Sequence, residues 1–276
     1  MIFNYTTSAM NSDLRLCVDA ERENYAKSAA YDLFEELKKL DELLSMYVMY
    51  SAITRINSLE VGDTLKILDT TAQALGAAMY VSRITKGAVD VCMGEFFQNL
   101  KGKEKIENPR QAQIKIFPED LIVKKLADGK VDLGAIGKGF ALDFLAERLV
   151  NMWGIDRALF NFGSSSILAL NPPEGESCWE ISFGGRKLEG FEFKNASIGS
   201  SGTAVQGSHI MDCRTRSVPE NMPYRTWAVC GNAVIADALS TAFMLLSREE
   251  IIEAAAAENA KAIIQQTPDS PLEILA

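Results

Sequence analysis

The stretch after Ala20 constrains the fold most. Ala26, Ala30, Leu33, Phe34, Leu37 and Leu40 recur at three- and four-residue steps, with Glu and Lys between them. That spacing belongs to a long helix with one buried face. It follows a short apolar strand-like run at residues 14–18. Further on, the same periodicity predicts a second helix over about residues 64–82, with Leu68, Ala72, Leu75 and Met79 inward and Asp63 as its N-cap. A third runs from Gly137 to Met152 and is stopped by Gly154, a fourth covers 233–246 and a fifth 248–258. Strands are expected at 158–162, 179–183, 227–230 and 262–265, with Pro172, Pro173 and Gly175 turning the chain between the first two. Residues 100–130 read as surface loops and short strands. Helices and strands alternate without a strand–helix–strand rhythm, so the expected class is α+β, mixed β-sheets with packed helices. One domain over residues 1–276 is expected, and 100–130 is where a subdomain boundary could fall.

Composition narrows the function. A chain 47% hydrophobic and 24% charged builds an ordinary globular core. Acidic residues number 37 against 28 basic ones, a net charge of −9. That argues against a nucleic-acid partner, whose phosphates need a basic surface. A small phosphate-bearing ligand stays open, because a metal and a helix N-terminus can hold one. The five cysteines, Cys17, Cys92, Cys178, Cys213 and Cys230, are widely spaced and form no C-x-x-C. Neither a disulfide framework nor a zinc knot is expected. The start, Met1-Ile-Phe-Asn-Tyr, lacks a basic segment and an apolar core, and no apolar run reaches membrane-spanning length. A cytoplasmic protein with no membrane span is therefore expected, although an exported form with its leader removed would read the same.

Three places carry chemistry. In Val131-Asp-Leu-Gly-Ala-Ile-Gly-Lys-Gly139 a strand end is expected to run into a glycine-rich turn that opens the third helix. Backbone N–H groups and the helix dipole suit a phosphate there, Lys138 adds a cation and Asp132 a carboxylate. The spacing is not that of a Walker A loop, and a plain packing turn is the alternative. Asp237 and Thr241 lie four apart, on one side of an otherwise apolar helix. A carboxylate and a hydroxyl suit Mg²⁺ completed by carbonyls, waters and phosphates; alternatively Asp237 caps a helix starting there and Thr241 bonds back into it. His209, the only histidine, is either a proton carrier near neutral pH or a structural residue. Trp153, Trp179 and Trp227 read as packing residues.

These residues sit within a longer series. Ala9-Met10-Asn11-Ser12 is similar to A-M-G-T, and Ser45-Met-Tyr47-Val-Met-Tyr-Ser51-Ala-Ile-Thr-Arg55-Ile-Asn57 to S-x-Y-x-x-x-S-E-I-S-R-I-N. Lys86-Gly87-Ala88-Val89-Asp90-Val-Cys-Met-Gly94 is similar to S-G-A-F-D-x-T-V-G, and Asp132-Leu-Gly-Ala-Ile-Gly-Lys138-Gly139 to D-L-G-G-I-A-K-G. Ser200-Ser201-Gly202 stands where T-S-G is usual, Ser208-His209-Ile-Met-Asp212 resembles S-H-I-I-D, and Ala236-Asp237-Ala-Leu-Ser-Thr241-Ala resembles A-D-A-L-A-T-A. In this order, over roughly residues 9–266, the chain resembles the ApbE family of FAD:protein FMN transferases.

The resemblance implies an ApbE-like fold and an enzyme that binds FAD with Mg²⁺, transfers FMN to a Thr or Ser hydroxyl of a target flavoprotein in a [S/T]-G-A-T-like segment, and releases AMP. It places Ala135 (through its carbonyl), Asp237 and Thr241 at the metal. Met10, Tyr47, Ala88, Val89, Asp90, Asp132, Lys138 and Ile210 fall on positions associated with FAD, and His209 on the base for the acceptor hydroxyl. An Mg²⁺-dependent FAD pyrophosphatase and a non-catalytic FAD-binding protein are the alternatives. Some residues depart from the pattern. G-G-D is Gly163-Ser164-Ser165 here, D-P-R-T-G is Asp212-Cys213-Arg214-Thr215-Arg216, Asn11 replaces the opening glycine, and the stretch from Gly202 to His209 is short. These departures fall on the flavin and acceptor side and bear on acceptor specificity and on transfer itself. The lipobox cysteine of exported members has no counterpart, and Cys17 is not in one.

Overall fold

The computed structural model describes residues 1–183, 185, 192–203 and 210–276. In chain order the elements are β1 (Ile2–Ala9), β2 (Ser12–Asp19), α1 (Glu23–Leu44), α2 (Ala52–Asn57), β3 (Thr64–Lys66), α3 (Asp69–Ile84), α4 (Gly94–Leu100), β4 (Gln113–Phe117) and β5 (Ile122–Ala127). Then come α5 (Gly137–Trp153), β6 (Ala158–Phe162), β7 (Ser166–Ala169), β8 (Ala196–Gly202), β9 (Arg225–Cys230), α6 (Ala233–Ala242), α7 (Arg248–Ala257), β10 (Lys261–Gln265) and β11 (Glu273–Ile274). Strands β1-β2-β6-β7-β8-β9-β10-β11 form one sheet and β3-β5-β4 a second, and their pairings are antiparallel. The chain is thus α+β, as the pattern predicts.

The period-2 alternation of the large sheet feeds cores on both faces. On β9, Ala228 and Cys230 face α6 and α7, while Trp227 and Val229 point to the other side and join Trp179, Phe183, Phe193 and Ile263. On β2 and β6, Leu14, Leu16, Val18, Ala158, Phe160 and Phe162 pack against the inward stripe of α1 and against α5. An ion pair adds to that packing. Arg148 of α5 grips Asp32 of α1 at 2.7 and 2.8 Å, and the Trp153 indole donates to the same carboxylate at 2.9 Å. The Arg148 hydrogen bonds are the main reason that the Asp32 carboxyl is held down at about 2.

Three expectations need correction. Residues 64–66 are a strand paired with β5, so the helix begins only at Asp69 with Leu68 as N-cap, and Asp63 caps nothing. Thr64 and Lys66 face outward with Leu65 between them, a period of two that a helical window absorbs unnoticed. Residues 179–183 form no strand: Trp179 makes a single bridge to Phe193. The fourth helix ends at Ala242, four residues early, and residues 243–245 continue as turns. By contrast, α5 ends where Gly154 takes φ 60° at its C-cap.

Two glycines let α6 approach its neighbours at backbone distance. A Cβ at Gly199 of β8 would lie 2.0 Å from the Ala236 carbonyl oxygen, and one at Gly139 of α5 would lie 2.3 Å from that of Ala233. Gly199→Ala should therefore destabilise the protein by about 1–3 kcal/mol. Gly76→Ala, on α3 with open space around it, should be neutral or stabilise by up to about 1 kcal/mol. Urea denaturation of the two variants checks both signs.

Candidate functional site

The segment at residues 130–139 is where the motifs meet. It is not a strand end, as expected from the sequence, but an extended stretch and a turn held by side chains and backbone from elsewhere. Asn57, at the end of α2, accepts from the Val131 N–H at 2.7 Å and donates to the Val131 carbonyl at 3.0 Å. From the Lys86–Gly94 motif, the Val91 carbonyl accepts from Asp132 N–H at 2.8 Å, and Gly94 N–H donates to the Lys130 carbonyl at 2.8 Å. Met10, in the two-residue turn between β1 and β2, lies over the start of α5, where a Cβ on Gly137 would be 4.0 Å from its sulfur.

Asp237 sits inside α6, whose N-cap is Asn232, so it caps no helix of its own. It caps another one instead. Its Oδ2 accepts from Gly139 N–H in the first turn of α5 at 2.8 Å, and its Oδ1 from the Ser166 hydroxyl at 2.5 Å. Asp143 of α5 returns the arrangement, accepting from the Ala233 and Val234 N–H groups at the start of α6, both at 2.9 Å. Each helix thus caps the other's N-terminus, where orphan donors and the dipole favour an anion. Burial raises the pKa of Asp237, while Lys138, Ser166 and Gly139 pull it down. A buried carboxylate of this kind gains from a nearby cation.

Hydroxyls surround it. Thr241 Oγ1 is 2.9 Å from Ser201 Oγ and donates to the Asp237 carbonyl at 3.4 Å, a long back-bond. Ser201 also meets Ser240 at 3.1 Å. Ala135 lies in the turn before α5, in which the Leu133 carbonyl takes both the Ile136 and the Gly137 N–H. Among the described residues no cluster of three His, Cys, Asp or Glu side chains could hold a metal. One carboxylate with hydroxyls and a turn carbonyl is nonetheless a donor set that Mg²⁺ accepts when phosphates and waters complete it.

The other expected flavin positions fall into two groups. Tyr47 is half exposed, its phenol raised by burial and by Asp132 and lowered by Lys101. Asp132 is buried, with Oδ1 on Gly134 N–H at 2.9 Å and Oδ2 on Lys101 Nζ at 3.0 Å. Ala88 and Val89 are buried, and the Ala88 carbonyl accepts from Cys213 N–H at 3.1 Å, which brings the Ile210–Cys213 stretch alongside. Asp90 accepts from Cys92 N–H at 2.9 Å and from the Gln111 amide at 3.0 Å. Ile210 is buried. His209 lies outside the described residues. Lys101, Gln111 and Asp143 belong to no motif, and no local pattern points to them. The five cysteines are free. Burial is the main reason that the thiols of Cys92 and Cys213 are pushed up to about 12, so they are inert as nucleophiles near neutral pH.

The ApbE family model matches residues 10–264. The chain belongs to the ApbE family. ApbE relatives named FAD:protein FMN transferase include one from Escherichia coli K12, 25% identical over 274 residues, covering 86% of this chain and 75% of the relative. Another, from Haemophilus influenzae, is 25% identical over 257 residues, covering 81% and 74%. The fold matches the apo flavinyl transferase ApbE of Pseudomonas stutzeri with a TM-score of 0.82, at 21% identity over 99% of this chain and 94% of that one. The ApbE protein of Thermotoga maritima also gives 0.82, at 20% identity and 99% and 96% coverage.

Asp143 generates a pH signature. Burial, with some help from the Asp237 charge, raises its pKa from 3.8 to about 6 against the pull of the two helix amides. Between these values the folded chain holds a proton that the unfolded chain has lost. Asp143's contribution to stability is therefore full below about pH 4 and is lost as pH rises through about 6. In metal-free protein, Asp143→Asn should flatten the decline in unfolding free energy between these pH values relative to the parent, whatever constant offset it adds. Urea melts across that range read the difference in slope.

Proposed function

We propose that the protein is an FAD:protein FMN transferase: it moves FMN from FAD to a Thr or Ser hydroxyl of a target flavoprotein and releases AMP. The observation that carries this, within the ApbE family, is the bond from Gly139 N–H, at the end of the Asp132–Gly139 motif, to Asp237, with Lys138 acting on the same carboxylate and Thr241 one turn on along α6. Asp237, Thr241 and the Ala135 carbonyl would hold Mg²⁺. Bound there, the ion would neutralise charge on the diphosphate as the AMP phosphate departs.

The chain's own residues account for the rest. Lys138, beside Asp237 at the start of α5, supplies a positive charge to the same diphosphate, and the helix N-terminus adds its dipole. Met10, Tyr47, the Ala88–Asp90 backbone, Asp132 and Ile210 orient the dinucleotide. The acceptor hydroxyl is a weak nucleophile until its proton is removed. His209 takes that proton, the oxygen bonds to the phosphorus of the FMN half, and the bond from that phosphorus to the bridging oxygen breaks so that AMP leaves. Phosphoryl transfer relies chiefly on positioning and charge, so this small set suffices. Among the described residues no helix is long and apolar enough to cross a membrane.

The test incubates purified protein with FAD, with and without Mg²⁺, and with and without an acceptor domain bearing a [S/T]-G-A-T-like segment. AMP released in step with a flavin mass gain on the acceptor is the expected result. AMP with free FMN and unmodified acceptor would mean hydrolysis, and FAD binding without AMP a binding protein. Asp237→Asn should lower Mg²⁺-dependent AMP release by about a hundred-fold or more while FAD still binds. His209→Ala should lower transfer by about a hundred-fold or more with little change in FAD affinity; loss of both together would make His209 a flavin-positioning residue.

A further inference from the structure

Lys101 follows the last residue of α4 and forms its C-cap, outside every motif that points to flavin. Its side chain nevertheless ends among them. The ammonium donates to Asp132 Oδ2 at 3.0 Å, and Lys101 acts on the Tyr47 phenol together with Asp132. It also lies 3.6 Å from where a Cβ on Gly134 would be. That is an ordinary contact distance, and it puts the ammonium against the turn that the sequence suits to a phosphate.

The pair is unsymmetrical in exposure. The Asp132 side chain is 6% exposed and that of Lys101 38%. An ammonium has three donors, and among the described residues only one is taken by a hydrogen bond, the one to Asp132. The second Asp132 oxygen accepts from Gly134 N–H at 2.9 Å. The carboxylate therefore holds the lysine in place, with the ammonium 5.8 Å from the centre of the Phe97 ring, and its other N–H donors have no hydrogen-bond partner among the described residues. A part-exposed ammonium held by one carboxylate beside a backbone turn is placed to give its remaining donors to an anion.

We infer that Lys101 is a further binding residue for FAD, giving its free N–H donors to the diphosphate at the Gly134 turn while Asp132 holds it in register. The inference rests on the flavin-nucleotide reading of this site and adds to Lys138 a second cation, which approaches from α4 across the turn. Lys138 stands in the first turn of α5, after the turn, and Lys101 meets Asp132 before it.

The test measures FAD affinity of the full chain by flavin fluorescence, in Mg²⁺, at low and high salt. Lys101→Gln keeps a donor for Asp132 and removes the charge, so it should fold with an unchanged melting temperature. It should weaken FAD binding about ten-fold at low salt, and the gap to the parent should narrow as salt screens the charge. Lys101→Arg should restore binding to within about three-fold of the parent. Parent-like affinity in Lys101→Gln overturns the inference, as does a loss that salt leaves unchanged and arginine does not repair, which is the mark of a purely structural pair. A parent protein that binds no FAD overturns the flavin reading of the site, and the inference with it.

Discussion

The mutual capping of α5 and α6 is the constraint on which the site depends. Asp237 of α6 holds the first turn of α5, and Asp143 of α5 holds the first turn of α6. Two helix N-termini are thereby set side by side, with glycine at Gly139 and Gly199 removing the side chains that would keep α6 away. The geometry has an electrostatic consequence. Both carboxylates lose water, and burial is the leading cause of both upward shifts. The Asp237 charge adds to the proton affinity of Asp143, and a cation at Asp237 would relieve that repulsion. Ordering of the helix pair and affinity for a positive ion are two results of the same contact.

The segment at residues 130–139 explains why the family's motifs are scattered along the chain. Its backbone belongs to no strand, so its polar groups must find partners elsewhere. Asn57 supplies a two-way clamp at Val131, Val91 and Gly94 supply backbone bonds, Lys101 neutralises Asp132, and Asp237 closes the far end at Gly139. These come from α2, from the Lys86–Gly94 motif, from the two ends of α4 and from α6. The motifs are distant in sequence because an irregular segment needs support from several directions at once.

That explains what could be read from the sequence. The long helices α1 and α5 and the strands β6, β9 and β10 announce themselves by period, because each buries one face or both against a core. The same reasoning misplaced residues 64–66, where three residues are too few for a period of two to show against the helix that follows. It also expects a strand at 179–183, where Trp179 and Phe183 are buried and make isolated bridges instead. In the site, Asp237 and Thr241 were legible as a polar pair on an apolar helix. Their partners Ser166 and Gly139 were not, since nothing local marks a serine on β7 as the hydroxyl for a carboxylate on α6. Asp143, Lys101 and Gln111 escaped for the same reason: each acts across a tertiary contact.

Most of the glycine departures from the family pattern share one backbone feature. Four family glycines are replaced here: Ala135 has no positive φ, but Asn11, Ser164 and Arg216 have φ of 56°, 59° and 58°. Each of these three keeps the left-handed conformation that a glycine adopts without strain, although a side chain there costs roughly 1–2 kcal/mol, least for asparagine. The turns have thus been preserved and side chains added to them. Ser164 sits in the turn leading to Ser166, beside the hairpin of Met10, and Arg216 reaches over the Phe96 ring toward Gln111, the residue that holds Asp90. Strain at these exposed turns, beside the buried contacts of Asp237, Asp143 and Asp132, separates two duties within one scaffold. On the proposed function, charge handling at the diphosphate would rest on the buried contacts of the capping pair and of Asp132, and an acceptor protein would meet exposed turns of left-handed backbone.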